Sequence, residues 1–256
     1  MVADAFTVMD VDQSLVPRSI TGIPAACVRI GTYNIHSCVG SDARFSPQRT
    51  ARVINELDVD LIGLQEVGWH HRGEVGVDQF NFLADATGLT AYAGPTKHND
   101  QAHYGNAILT RLPVRAMRSI DLTVGFREPR GALDGDVLIN GRVVRVIVAH
   151  LGLDPWERKR QIQQILALVE AEPGRSTLFM GDLNEWTPNS SRLRLLEDQF
   201  PGCAAPRSFP NRMPTFRLDR IFLSPDLALV EQEVMRTALT RRASDHLPVR
   251  ATIGLV

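Results

Sequence analysis

The sequence predicts a single α/β domain in which packed β-sheets are covered by helices. Three observations carry this. From Val28 onward, short β-branched apolar runs alternate with amphipathic stretches. "INGR" at 139–142 lies between two β-branched runs, and an Asn-Gly pair in that setting is a strong hairpin signal, so some strands pair antiparallel. No internal repeat, low-complexity tract or linker divides the 256 residues, a length that supports one large core.

The elements follow in order. Residues 1–26 include Asp4, Asp10 and Asp12 and no long apolar block. They lack the positive start and apolar stretch of a secretory signal and read as a flexible N-terminal arm; residues 27–256 read as the domain. "CVRIGTYNI" (27–35) is β-branched and alternating, a strand. "SPQRTARVINEL" (46–57) opens with a capping Ser46 and Pro47 and puts Val53, Ile54 and Leu57 on one face, an amphipathic helix. "VDLIGLQEV" (59–67) is a buried strand that ends in polar residues, and "DQFNFLADATGL" (78–89) is a helix closed by Gly88. "GNAILTRLPV" (105–114), the two arms of "GDVLINGRVVRVIVAHL" (135–151) and "STLFMGDLN" (176–184) are further strands. Between the last two, Ile162, Ile165, Leu166 and Val169 recur at helical spacing. "RLRLLEDQF" (192–200) is a short helix, and "RLDRIFLSP" (217–225) and "SDHLPVRATIGL" (244–255) are late strands with polar edges.

Composition narrows the function. Lys and Arg number 28 against 29 Asp and Glu, a net charge of −1. That balance argues against a broad basic surface for nucleic acid, which needs clustered cations to neutralise phosphates. Lysine is confined to Lys97 and Lys159, so the cationic groups are nearly all guanidinium. Cys27, Cys38 and Cys203 are few, odd in number and without metal-ligand spacing; they read as thiols in a reducing, cytoplasmic setting. No stretch of about twenty apolar residues is present to span a membrane, and nothing in the chain calls for an obligate protein partner.

The chemistry lies where strands stop. The first strand ends at Asn34 and His36, the second at Gln65 and Glu66, a later one at His150, and "FMGDLN" ends at Asp182 and Asn184. Asp219 sits in "RLDRIF", and Asp245 and His246 precede the last strand. If these ends converge, Asn34, Glu66, Asp182, Asn184 and Asp245 supply oxygen donors with two histidines beside them. Mg²⁺ and Mn²⁺ prefer such a set, and the absence of thiolates from it argues against structural zinc. Phosphoester cleavage needs a nucleophilic water, neutralisation of charge on the phosphoryl oxygens and help for the leaving oxygen. An imidazole whose tautomer is fixed by a carboxylate can take the water's proton, a role that suits His246 with Asp219. Asn184 can orient the groups without adding charge. In "REPRGAL", Arg127 and Arg130 are candidates to clamp a phosphate.

"TYNIH", "IGLQEV", "YGNAILTR", "VAHLGL", "FMGDLNEW", "LDRIF" and "SDHLPV", in this order over about 28–254, resemble the successive motifs of the endonuclease/exonuclease/phosphatase superfamily. The resemblance implies a four-layer α-β-β-α sandwich, with two packed mixed or antiparallel sheets flanked by helices. It implies that Asn34, Glu66 and Asp245 hold Mg²⁺ (or Mn²⁺), and that Asp182 and Asn184 position the attacking water and the scissile phosphate. It further implies that His246 is the general base or a phosphate contact, oriented by Asp219, and that His150 is the second catalytic histidine. Tyr104 and Arg130 are the weaker phosphate-binding positions.

The superfamily includes deoxyribonucleases, abasic-site endonucleases, inositol polyphosphate phosphatases and neutral sphingomyelinases. "VAHLG" and "FRLDRIF" depart from the abasic-site pattern, and the basic motifs of the inositol phosphatases are not found. The expected substrate is a phosphodiester of a small molecule or lipid head group. A nuclease acting on DNA or RNA, or a silent phosphate-binding module, are the alternatives.

Overall fold

A computed structural model describes residues 27–68, 77–99 and 102–256. The proposed arm, 1–26, lies outside the described residues. Among these residues, besides a short 3-10 turn at His36–Cys38, twelve strands and five α-helices follow one another as β1 (Cys27–Asn34), α1 (Pro47–Leu57), β2 (Leu61–Gly68), α2 (Gln79–Thr87), β3 (Thr90–Asn99), β4 (Ala102–Thr110), β5 (Val114–Asp121), β6 (Gly131–Ile139), β7 (Arg142–His150), α3 (Pro155–Glu170), β8 (Thr177–Asp182), α4 (Ser191–Gln199), β9 (Gly202–Ala204), β10 (Asp219–Leu223), β11 (Leu227–Val234), α5 (Thr240–Ala243) and β12 (Val249–Leu255). They build two six-stranded sheets, in the orders β11-β12-β1-β2-β4-β3 and β5-β6-β7-β8-β10-β9.

The helices start where the sequence caps them. Ser46 accepts from Arg49 N–H with Pro47 in the first turn of α1, and Asp154 accepts from the Trp156 and Glu157 N–H groups at the start of α3. Gly88 closes α2 in the left-handed region. Strand alternation then sorts the core into layers. Leu61, Val146, Val148, Leu178 and Met180 face the space between the sheets. Their neighbours Ile62 and Leu64 turn outward under α1 and α2, and Ile147 and Phe179 turn outward under α3 and α4. The four-layer sandwich expected from the sequence is thus formed. All three cysteines are free thiols, Cys38 buried and the other two half-buried.

Connectivity brings the polar strand ends together. In the first sheet β1 and β2 are parallel, while β12 and β4 run against them. The C-terminal ends of β1 and β2 therefore meet the N-terminal ends of β12 and β4. In the second sheet β7 and β8 are parallel, and β6 and β10 run against them. The C-terminal ends of β7 and β8 meet the N-terminal ends of β6 and β10 in the same way. One end of the sandwich collects Asn34, Glu66, Tyr104 and His246 from one sheet and Arg130, His150, Asp182 and Asp219 from the other.

"GNAILTRLPV" is not one strand. It leaves the first sheet at Thr110 and joins the second at Val114. Pro113 cannot donate to a ladder, and the chain changes sheets there.

Gly181 sets the aim of Asp182. Its φ is +147°, and a Cβ there would lie 1.8 Å from the Ala149 carbonyl oxygen on β7. Gly181→Ala is expected to cost on the order of 3 kcal/mol, through backbone strain and a clash that no rotamer relieves. Urea denaturation checks this; a loss below about 0.5 kcal/mol, the range of a neutral surface change, would contradict it.

Candidate active site

Two local devices turn side chains into the end of the sandwich. The register between β2 and β4 shifts between Leu64 and Val67, and Glu66 within that bulge has φ +57°. The bulge breaks strict alternation and lets Glu66 reach the Asn34 amide, while Gln65 is buried and accepts from Thr32 Oγ1. Asn184, one residue past Leu183, adopts φ +50°, a conformation asparagine tolerates better than most residues. Its backbone N–H donates to Asp182 Oδ1 at 2.9 Å, so the "GDLN" turn closes on its own aspartate.

Asn34 is the junction between the sheets. Its Nδ2 donates to Glu66 Oε1 and to Asp182 Oδ2, each at 3.0 Å, and its Oδ1 accepts from the His36 N–H at 3.0 Å. Asp182 Oδ2 also lies 3.6 Å from the Nε2 atoms of both His150 and His246. Two imidazoles and an amide therefore converge on one carboxylate oxygen. Among the described residues, Asp182, Asp219 and His246 have ligating atoms within 4.8 Å of one another.

His246 is oriented from behind. Its Nδ1 lies 2.8 Å from Asp219 Oδ2, and Asp219 is fully buried. The same oxygen accepts from Ser208 Oγ at 2.5 Å. Ser244, the first residue of "SDH", donates to the Asn34 carbonyl at 2.8 Å and accepts from the His246 N–H at 3.2 Å. The serine thereby ties the loop before β12 to the end of β1. Asp245 is the open member, its side chain 41% exposed and 3.8 Å from His36 Nδ1.

His150 finds partners that its sequence context did not reveal. Arg130 Nη1 lies 3.0 Å from its Nδ1, and Asn184 Nδ2 lies 3.0 Å from its Nε2. A neutral imidazole accepts at only one nitrogen, so one of these two donors faces an N–H. Arg130 lies in the β5–β6 loop but its side chain is buried; its Nη2 donates to Glu128 at 2.7 Å and its buried Nε has no partner. Arg127 stays outside, 3.4 Å from Asp154. Thr96, Tyr104, Asn106, Arg130 and His150 line a small recess. Tyr104 is buried there, and burial raises its hydroxyl pKa.

The two histidines are held in opposite charge states. Burial opposes charge on His246, but the carboxylates of Asp219, Asp182 and Asp245 outweigh it and push its pKa up to about 10. Burial, and then the Arg130 cation, push His150 down to about 3. His246 is thus a cation at neutral pH in this arrangement, where the sequence suggested an imidazole free to take a proton. His150 is neutral.

Stability of the metal-free protein should record both. Between pH 6.5 and about 10, the folded chain keeps a proton on His246 that the unfolded chain has lost, so stability falls as pH rises. Between pH 6.5 and about 3, the unfolded chain binds a proton that buried His150 refuses, so stability falls as pH drops. Each group contributes a slope of up to about 1.4 kcal/mol per pH unit. Urea titrations from pH 5 to 9, read against the ordinary range in which both groups matter, should show His246→Gln flattening the alkaline side and His150→Gln the acid side. An alkaline slope unchanged in His246→Gln would contradict the first assignment.

The donors suit a hard divalent cation. Burial pushes the Glu66 carboxyl pKa upward, the Asn34 amide and His36 pull it back, and the Asp245 charge raises it again. A carboxyl destabilised by burial and by a second carboxylate is relieved by a cation held through oxygen.

Five residues outside the predicted set matter to this geometry. Ser208 braces Asp219. Asn211 fastens the loop before β10 to the "SDH" loop, its N–H donating to the Asp245 carbonyl at 2.8 Å and its Nδ2 to the Arg241 carbonyl at 2.7 Å. Phe209 packs on His246 with ring centroids 4.7 Å apart, and Trp186 meets Phe209 and Phe216 edge-on at 5.4 and 4.9 Å. No spacing in the sequence marks them, because their partners are distant along the chain.

The chain is similar to known proteins over nearly this whole unit. The sequence profile of the Endonuclease/Exonuclease/phosphatase family matches residues 31–246. The uncharacterized protein YbhP of Escherichia coli (strain K12) is 29% identical over 245 residues, covering 89% of this chain and 96% of its own. The crystal structure of an endonuclease/exonuclease/phosphatase from Beutenbergia cavernae superposes with a TM-score of 0.69 at 24% identity, covering 90% of this chain and 72% of that one. A mannosyl-6-phosphatase from Bacteroides thetaiotaomicron superposes with a TM-score of 0.70 at 17% identity, covering 88% and 99%. These last two likenesses speak for the fold. The profile match spans most of the chain and includes every strand-end motif from "TYNIH" to "SDH", and the chain belongs to the endonuclease/exonuclease/phosphatase family, whose members are generally phosphoester hydrolases.

Proposed function

We propose that the protein is a divalent-metal-dependent phosphodiesterase acting on a small-molecule or lipid-linked phosphodiester. The observation that carries this reading is the convergence of Asn34, His150 and His246 on one oxygen of Asp182, with Asp219 behind His246. In this reading Asp182 and Asn184 orient a water against the phosphorus. His246 Nε2 takes its proton, and Asp219 fixes Nδ1–H and offsets the charge that develops on the ring. Arg130 and Tyr104 bind a phosphoryl oxygen, and neutral His150 orients it beside Asn184.

Glu66, Asp245 and the Asn34 side-chain oxygen are the groups that would hold Mg²⁺ or Mn²⁺, which when bound supplies charge for the phosphoryl and leaving oxygens and offsets the carboxylate field that keeps His246 protonated. Hydrolysis of a diester rather than of a polyanion is supported by the net charge of −1. A mannosyl-6-phosphatase shares the fold, so the assay includes a phosphomonoester.

The test compares bis-p-nitrophenyl phosphate, p-nitrophenyl phosphate and supercoiled plasmid, each with Mg²⁺, with Mn²⁺ and with a chelator. Turnover of the diester that the chelator stops and Mg²⁺ or Mn²⁺ restores, with plasmid intact, is the expected outcome. Activity that survives exhaustive chelation removes the metal from the mechanism. Nicked plasmid under the same controls makes the protein a nuclease, and no turnover in any arm favours a phosphate-binding module.

A further inference from the structure

The large apolar side chains that face solvent are not scattered. Six of the eight among the described residues, Phe126, Leu153, Trp156, Trp186, Met213 and Phe216, stand at the end of the sandwich that holds the site, Trp156 in the first turn of α3 and the other five on loops. Strand order fixes how they flank it. Along the second sheet the loop ends run from β5–β6, with Phe126 and Arg130, through β7–α3, with His150, Leu153 and Trp156. They continue through the loop after β8, with Asp182 and Trp186, to the loop before β10, with Met213, Phe216 and Asp219. Apolar groups thus stand on either side of the polar centre.

They protrude rather than form a pocket. Phe126 is fully exposed, Met213 is 71% exposed and Leu153 65%. Single exposed apolar side chains are ordinary, but several gathered at one end of a molecule mark a surface that meets another phase or partner. The loops that carry them are braced. Arg130 of the first loop lies against His150, Arg127 lies 3.4 Å from Asp154, and Asn211 fastens the last loop to Asp245 and Arg241. Exposed basic residues stand on the same elements as the tips, while the acids Asp154 and Glu128 there are paired with Arg127 and Arg130. Lys159, Arg207 and Arg212 are exposed on the same loops and helix start, and the Arg160 guanidinium sits 5.1 Å from the centre of the Trp156 ring.

We infer that this end of the molecule docks on a bilayer surface carrying anionic lipids, so that the phosphoester reaches the site from a membrane; this rests on the phosphodiesterase reading above. Aromatic and aliphatic tips enter the boundary between head groups and acyl chains, while arginine and lysine meet anionic head groups. Leu153 and Met213 decide against a single-stranded nucleic acid, because stacking on bases uses aromatic faces and these two have none. From the rim, Trp186, Phe216 and Phe209 continue as an apolar wall to His246, along which a substrate with an acyl body can lie while its phosphate enters the polar centre.

Sedimentation with sucrose-loaded vesicles tests this without turnover or metal. The full chain is mixed with phosphatidylcholine vesicles, with vesicles that also contain phosphatidylglycerol, and with a single-stranded oligonucleotide, at about 0.1 M salt. The wild type is expected to sediment with the anionic vesicles, and Phe126→Ser/Leu153→Ser/Trp156→Ser to bind them about tenfold or more weakly. Arg160→Glu/Arg212→Glu is expected to weaken binding to anionic vesicles alone. All three side chains in the triple variant are exposed, and its unchanged circular dichroism and turnover of bis-p-nitrophenyl phosphate report an intact fold and site. Absence of wild-type sedimentation with either vesicle, or equal sedimentation of wild type and triple variant, overturns the docking surface. Binding of the oligonucleotide without binding of vesicles overturns it in favour of a nucleic-acid surface. Turnover that fails while vesicles bind sinks the phosphodiesterase reading instead.

Discussion

Replacing His246 with alanine is expected to lower kcat on bis-p-nitrophenyl phosphate by about 10²–10⁴-fold, the usual worth of a positioned acid–base group. Its Nδ1 is held by Asp219 at 2.8 Å, and its Nε2 points into the site, 3.6 Å from Asp182. KM should change far less than kcat, because the imidazole acts on the water and not on the ester's substituents. The substitution is not silent for folding. It leaves Asp219 buried with its cationic partner gone, and truncating one side of a buried pair costs several kcal/mol. Kinetics are therefore compared at a temperature where circular dichroism shows the variant folded. Asp219→Asn separates orientation from proton transfer. It keeps a side chain of the same shape for Ser208 but presents a different tautomeric partner to Nδ1, so kcat should fall while KM holds. A His246→Ala enzyme within threefold of wild-type kcat, well inside the factor a base supplies, would remove His246 from the reaction.

The parts of the fold that the sequence disclosed are the central ones. Strands β1, β2, β4, β6, β7, β8 and β10 announce themselves through apolar runs because their side chains are mostly buried, and β12 through alternation of buried and half-buried residues. The four strands not anticipated, β3, β5, β9 and β11, are the four edges of the two sheets. An edge strand pairs on one side and meets water on the other, so its pattern is diluted: "LALVEQEV" of β11 places Glu231 and Glu233 in a strand of which only Leu227 is buried. The site divides in the same way. Acids and imidazoles at the ends of apolar runs are legible because polar groups there contradict the core pattern around them. Ser208 on Asp219 and Arg130 on His150 are not legible, since each depends on which loop the topology folds over which strand end. The charge states of His150 and His246 also lie beyond reach of sequence. Two residues of one type differ because one faces Arg130 and the other faces three carboxylates.

Asp182→Asn tests the centre of that arrangement. The carboxylate accepts from Asn34 Nδ2 and from the Asn184 N–H, while Oδ2 faces both histidines. Asparagine keeps the volume and one oxygen but removes a charge, and its NH₂ must face either the Asn34 amide or the Asn184 N–H, both of which are donors. The kcat is expected to fall by about 10²–10³-fold, since water and phosphate lose a fixed acceptor at the reacting centre. A second readout is independent of turnover. Asp182 is one of the carboxylates that raise His246, so in the metal-free variant the imidazole should titrate below about 10, followed by its ring proton resonances. A purely structural role for Asp182 would lower stability and leave the titration of folded molecules alone. A lower His246 pKa with wild-type kcat would keep the electrostatic coupling but take Asp182 out of water activation. An unchanged pKa would mean that Asp219 and Asp245 alone hold the proton, and the convergence on Oδ2 would lose its chemical meaning.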